Sequence, residues 1–418
     1  MSSKILSVLV PFLLVSSAFG QQSTFIEHLR TNRYELSVQQ GHLSGAGASV
    51  LESAIVDAQF VLVGEDHGIA QIPDFVDALC DLLAPRGFRT MAVEAGPLVT
   101  SELEKWAQSP DGRSRVMDFE KKFPDSIAFF NMDQEFGLLK HCSIAAGEGK
   151  FHLWGLDQEF LGSPGFIFTR ILETHPGKEA EAAIKDFIKK NDDARAKAAE
   201  SGKPDEMFMF TVSDAEVDHA GDLLRTQGSA QAQELFAAFT HSRAIYAKFM
   251  SGDGFGSNRQ RALLMKANFI RDYTAATRTE GKPPKVLFKF GGNHMYKGLN
   301  QLHNNDIGNY VLELADGQGS KSVNILILAT SGSQLAFAGI GKPYQPEKVD
   351  AQDKNSDIGK LKPMFENMNT QGWTMYDLRG IRKGFSSLGP ESRDVENIVF
   401  AYDFLILIPE AQPSTQIR

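Results

Sequence analysis

The stretch Phe60-Val61-Leu62-Val63-Gly64-Glu65-Asp66-His67-Gly68 constrains this chain most. A short apolar, partly β-branched run suits a buried strand. It changes at once to glycine, three ionisable residues and glycine. In an open α/β sheet, ligand crevices form outside the carboxyl ends of the strands. Side chains alternate along an extended segment, so Glu65 and His67 are expected on one side and Asp66 on the other. That spacing predicts a carboxylate and an imidazole side by side at a strand end.

The pattern recurs along the chain. Residues 89–93 form an apolar run that closes on Glu94-Ala95-Gly96, and residues 151–156 lead into Asp157. Residues 286–290 run into Gly291-Gly292-Asn293-His294. Between the first two runs, Phe75, Val76, Leu79, Leu82 and Leu83 repeat at helical spacing and stop at Pro85-Arg86-Gly87. Strand, helix and strand in that space is a βαβ unit, so a parallel pair is expected. Residues 323–329 and 398–408 read as two further strands. The fold class is therefore α/β: a central, largely parallel or mixed β-sheet flanked by helices. Residues 166–257 are helical in pattern throughout and read as a large helical insertion. Residues 180–199 are so charged that they read as a solvated helix, and Met207-Phe208-Met209-Phe210 as core of the insertion. Residues 21–57 read as a helical or irregular lead-in, 342–371 as a polar surface excursion and 411–418 as a tail.

Met1–Gly20 has the form of a secretory signal peptide: Lys4, an apolar run from Ile5 to Val15, then small residues. Cleavage before Gln21 leaves 418 − 20 = 398 residues, read as one domain over 21–418. The product is expected to be exported, periplasmic or secreted, and free of the membrane once cleaved. Removing Lys4 takes the formal charge from −9 to −10, which with no basic run disfavours nucleic acid. Cys80 and Cys142 can pair in an oxidising compartment or stay as two buried thiols.

The four strand ends carry the chemistry. Glu65, His67, Glu94 and His294 are the expected catalytic set. Asp157, Arg261 and Asn268 are the expected substrate contacts; Arg261, Met265 and Asn268 share a helix face at i, i+4 and i+7. A carboxylate can polarise a histidine that draws a proton from water, and the water then attacks an ester or amide carbonyl. Alternatively His67, His294 and Glu94 ligate a divalent metal that activates the water. Residue spacing leaves both open. The chain has no Gly-x-Ser-x-Gly elbow, no His-Glu-x-x-His helix, no Gly-x-Gly-x-x-Gly after the first strand and no P-loop.

The blocks together resemble the erythromycin esterase family, within the wider Tiki/TraB and haem-uptake superfamily. Val63-Gly64-Glu65-Asp66-His67-Gly68 is similar to the esterase Gly-Glu-x-x-His-Gly opening, one residue shorter, and to the Gly-Glu-x-His opening of the wider group. Gly87-Phe88-Arg89 through Val93-Glu94-Ala95, Gly155-Leu156-Asp157 and the Arg261, Met265, Asn268 helix resemble the following blocks. Gly291-Gly292-Asn293-His294 is similar to the late His-Asn-x-His block, with Gly291 in place of the first histidine. The resemblance implies a hydrolase acting on an ester, lactone or amide bond, with His67 as base on water, and the leader implies that it is exported. It also implies two alternatives, a metal-dependent peptidase and a haem- or metal-binding protein. The expected partner is a small-molecule or peptide substrate. No cofactor is expected under the esterase reading, whereas the alternatives need a divalent metal or haem.

Overall fold

A computed structural model describes residues 25–383 and 393–418; the expected signal peptide lies outside the described residues. Its strands are β1 (Arg33–Gln39), β2 (His42–Ser44), β3 (Phe60–Glu65), β4 (Phe88–Val93), β5 (His152–Gly155), β6 (Lys285–Gly291), β7 (Ser322–Ala329), β8 (Ser333–Ala336), β9 (Gln345–Lys348), β10 (Trp373–Asp377) and β11 (Phe404–Ile408). Nine of them form one mixed sheet in the order β2-β1-β10-β11-β7-β3-β6-β4-β5, and β8 pairs with β9 apart from it. The run from β11 to β5 is parallel throughout. β10, β1 and β2 extend it by antiparallel pairing.

The central strands are apolar on both faces because both faces are covered. Phe60 and Leu62 enter one core with Met265, Phe269 and Phe288, while Val61 and Val63 enter the other with Phe75, Leu79 and Leu139. β3 has no exposed residue, even at Glu65. Helix Gln71–Leu83 follows β3 as its spacing predicts. Helix Gly254–Glu280 lays Met265 and Asn268 against the sheet. The helices between β5 and β6 pack a core of their own, including Ile167, Phe168, Phe187, Phe208, Met209 and Phe239. Phe208 and Met209 are therefore core, as expected, and Lys178–Ser201 turns a narrow stripe of Ala180, Ile184, Phe187, Asn191 and Ala198 inward. No helix of the described residues is long and apolar enough to cross a membrane.

Several expectations are corrected. Residues 398–408 are not one strand: helix Arg393–Ala401 precedes β11. An apolar run of that composition suits either state, and burial on one side of a helix decided the first half. The lead-in contains β1 and β2, whose Tyr34, Leu36 and Val38 alternate as a half-buried strand does. Residues 411–418 are no loose tail. Ser414 donates to the Gly68 carbonyl at 2.8 Å, and Ala70 donates to the Gln412 carbonyl at 2.8 Å. The C-terminal segment thus straps the loop that follows the Glu65–His67 motif.

Cys80 and Cys142 form a disulfide joining helix Gln71–Leu83 to helix Asp133–Ala146. Its sequence separation is 62, so cross-linking restricts the unfolded chain substantially, by roughly 4 kcal/mol in the chain-entropy account. Reduction, or Cys80→Ala with Cys142→Ala, should lower the thermal midpoint by several degrees. An unchanged melting curve with and without reductant would show that the bridge adds nothing.

Candidate active site

The parallel register places β3, β6, β4 and β5 side by side, with Glu65 opposite Gly291, and Val93 opposite both Lys289 and Gly155. Each expected strand end therefore opens on the same edge of the sheet. There a row of alternating carboxylates and imidazoles is built. His67 Nδ1–H donates to Glu65 Oε1 at 2.9 Å, and its Nε2 lies 3.3 Å from Glu94 Oε2. The other oxygen of Glu94 lies 3.3 Å from His294 Nε2. His294 Nδ1–H donates to Asp306 Oδ2 at 2.9 Å. Glu94 thus stands between two imidazoles whose positions in the sequence are far apart.

Two cations complete the row. Arg261 donates through Nη2 to Glu94 Oε1 at 2.6 Å, and through Nε to Asp157 at 2.8 Å. Lys289, only 3% exposed, donates to Glu65 at 2.7 Å and to Glu135 at 2.8 Å. A lysine within the apolar run of β6 was the sequence signal for this partner. Glu135 and Asp306 carried none, because they come from a helix and a loop that only folding brings here. Asn268 lies apart from the row: its side chain donates to the Leu156 carbonyl at 2.9 Å and accepts from Arg271 at 2.9 Å. Asp157 likewise acts from behind, as the brace of Arg261.

The row forms the floor of a cavity of about 680 Å³. Its walls are largely aromatic and aliphatic, with Phe129, Phe160, Phe337 and Tyr344 among them. Tyr344, Asp357 and Lys360 come from the stretch expected to be a mere surface excursion. The His67 ring stacks on Phe129, centroids 3.7 Å apart. Of the row's cavity-lining members, only His67 and Arg261 are appreciably accessible, with side chains 25% and 22% exposed, against 7% or less for Glu65, Glu94 and His294. β3 ends at Glu65, so the alternation expected to send Asp66 away no longer applies. Asp66 and His67 both line the cavity.

The electrostatics follow from this packing. Burial opposes a charged ring at His67, but Glu94 and Glu65 outweigh it and hold the imidazole up at about 10. Burial likewise opposes charge at His294, and Glu94 with Asp306 lifts it to about 9 against Arg261. Burial raises Glu94, yet His294, Arg261 and His67 together hold it well below the usual carboxylate range. At neutral pH the resting row is therefore a chain of ion pairs. Glu94 already accepts from Arg261 and from the Gly291 N–H at 2.6 Å, so a metal ion at His67, Glu94 and His294 would compete with both. Among the described residues no group of three or more His, Cys, Asp or Glu side chains is disposed to hold a metal ion.

Gly291 is fitted to this row. A Cβ there would stand 3.0 Å from His67 Nε2 and 3.2 Å from Glu94 Oε2. Gly291→Ala should therefore push the two apart and depress turnover more than stability, because the methyl also borders open cavity. A variant with normal catalysis would show that the spacing of His67 and Glu94 is immaterial.

The sheet order and the polar row at its carboxyl edge define an α/β fold with a mixed central sheet and its candidate site at the strand ends. Among solved structures, the chain is similar to a variant of the erythromycin esterase EreC in its open conformation, with a TM-score of 0.64 and 14% identity over 92% of this chain and 99% of that one. It is also similar to a succinoglycan biosynthesis protein, with a TM-score of 0.59 and 15% identity over 96% and 99%. A Bacillus cereus protein gives a TM-score of 0.58 and 14% identity over 95% and 99%. At these identities the likeness is one of fold. No protein-family model and no curated protein matches the sequence.

Proposed function

We propose that this protein is an exported hydrolase that cleaves an ester, lactone or amide bond with water activated by His67. The observation that carries the reading is that His67 and Arg261, opposite in role, are the accessible members of an otherwise buried ionic row. Glu65 fixes the ring through Nδ1. Shedding the Nε2 proton leaves a base on a ring that lines the cavity, and Glu94, 3.3 Å from Nε2, is placed to share that proton. Among the described residues Arg261 spends Nε and Nη2 on Glu94 and Asp157, which leaves Nη1 for a developing oxyanion. His294 and Asp306 hold Glu94 from behind. The fold likeness to an esterase supports the same reading. Export rests on the apolar leader, and the disulfide suits an oxidising compartment.

The test is a panel of aryl esters, alkyl esters, lactones and peptides. The neutral form of His67 grows as pH rises toward its value of about 10. Hydrolysis of an activated aryl ester should therefore climb with pH through the alkaline range. Glu94→Gln removes the strongest support for the charged ring and should move that climb to lower pH. A pH-independent rate would remove His67 from the base role. The rival reading, capture of haem or a metal without turnover, predicts a Soret shift on adding haem that His294→Ala abolishes. The His294 side chain is 6% exposed against 25% for His67, which favours the hydrolytic reading.

A further inference from the structure

Three acidic groups on the cavity have no part in the row just described, Asp66, Asp357 and Asp394, and of these Asp66 alone is partly buried while the other two are exposed. Asp66 lines the same cavity as His67 and Arg261. Glu65, Glu94, Asp157, Asp306 and Glu135 are each engaged by a cation or an N–H donor. The Asp66 carboxyl accepts no hydrogen bond among the described residues; it feels only burial and the charges of Asp357, His67 and Glu65. A carboxyl left unpaired beside a base and open to the substrate is free to exchange a proton with it.

We propose that Asp66 protonates the departing alkoxide, so that the site is suited to esters and lactones of unactivated alcohols. This rests on the hydrolase reading. Water gives one proton to neutral His67 while its oxygen bonds to the carbonyl carbon, and the oxyanion faces Arg261. The carbon–oxygen bond to the leaving group then breaks with its electron pair on the leaving oxygen. That oxygen takes the proton from Asp66, and the His67 proton returns to Asp66 through solvent. One water is consumed, and one acid and one alcohol are released. Burial and Asp357 raise the Asp66 carboxyl to about 6, with His67 opposing and Glu65 adding, so it carries a proton part of the time near neutrality. The titratable groups around it are those three and the Tyr402 phenol. An alkoxide leaves poorly without a proton, whereas an aryl oxide leaves unaided.

The experiment compares an alkyl and a 4-nitrophenyl ester of one acid, using the full chain. Asp66→Asn should lower kcat/KM on the alkyl ester by roughly 10²-fold or more and leave the aryl ester nearly unchanged. Surviving aryl turnover shows in the same assay that the variant is folded. Equal losses on both esters, or no loss on either, overturn the proposal. If Asp66→Asn does not fold, Asp66→Ala with added formate replaces it. Formate should then restore alkyl turnover selectively, and absence of rescue overturns the assignment. A wild-type protein that hydrolyses neither ester instead sinks the hydrolase reading itself.

Discussion

His67→Gln should lower turnover of an activated aryl ester by roughly 10²–10⁴-fold, the usual contribution of a positioned base, with little change in KM. Glutamine keeps a polar side chain near Glu65 and Glu94 but cannot accept and return a proton. The residual activity should lose its alkaline climb, because no other accessible group of the row titrates there. Arg261→Lys offers a contrast. Lysine retains a charge but not the two-sided fork that spans Glu94 and Asp157, so turnover should fall while the pH profile keeps its shape. If His67→Gln retains wild-type turnover and profile, the base lies elsewhere, and Glu94 is the next group to test.

Lys289→Met should destabilise the fold by roughly 3–5 kcal/mol, the typical cost of removing one partner of a buried ion pair. Its ammonium is the cation between Glu65 and Glu135, both buried. Methionine fills a similar volume but leaves Glu135 facing Glu65 with no positive charge between them. Burial already raises the Glu135 carboxyl, and Lys289 opposes that rise. Without the lysine, Glu135 should stay protonated in the folded state to a higher pH. The folded form then binds a proton that the unfolded chain has lost, so the deficit should shrink as pH falls toward the ordinary glutamate range. Adding Glu135→Gln to Lys289→Met should recover part of the loss for the same reason. Chemical denaturation at pH 8 and pH 5 checks both. A loss below about 1 kcal/mol at pH 8 would mean that the triad is dispensable.

Much of the candidate site was legible in the residues because strand ends are local events. An apolar run that stops on glycine and a charged group announces both the strand and its functional end. The common burial of Met265 and Asn268 was visible from helical period alone. The roles within that face were not. Asn268 was expected at the substrate, but its distance along the helix carries it past the cavity to the Leu156 carbonyl. Asp157 was expected there too, yet it meets the guanidinium from the far side. Asp66 was assigned to the wrong side, because strand alternation was extended one residue beyond the strand. Residues 398–401 read as strand because Ile398 and Val399 suit either state when only their own neighbours are considered.

The linear chain by itself determined that a largely parallel or mixed α/β sheet would form and that acids and imidazoles would stand at the carboxyl ends of its strands. Those are consequences of hydrophobic period and backbone geometry, which act within a few residues. Only the tertiary structure decided which strands are neighbours, and so that Glu94 bridges His67 and His294. It also decided that Lys289, Glu135 and Asp306 hold the row, and that of the row's cavity-lining members only His67 and Arg261 are appreciably accessible. Charge, burial and accessibility are properties of the whole packed molecule, since each depends on groups that lie far away along the chain.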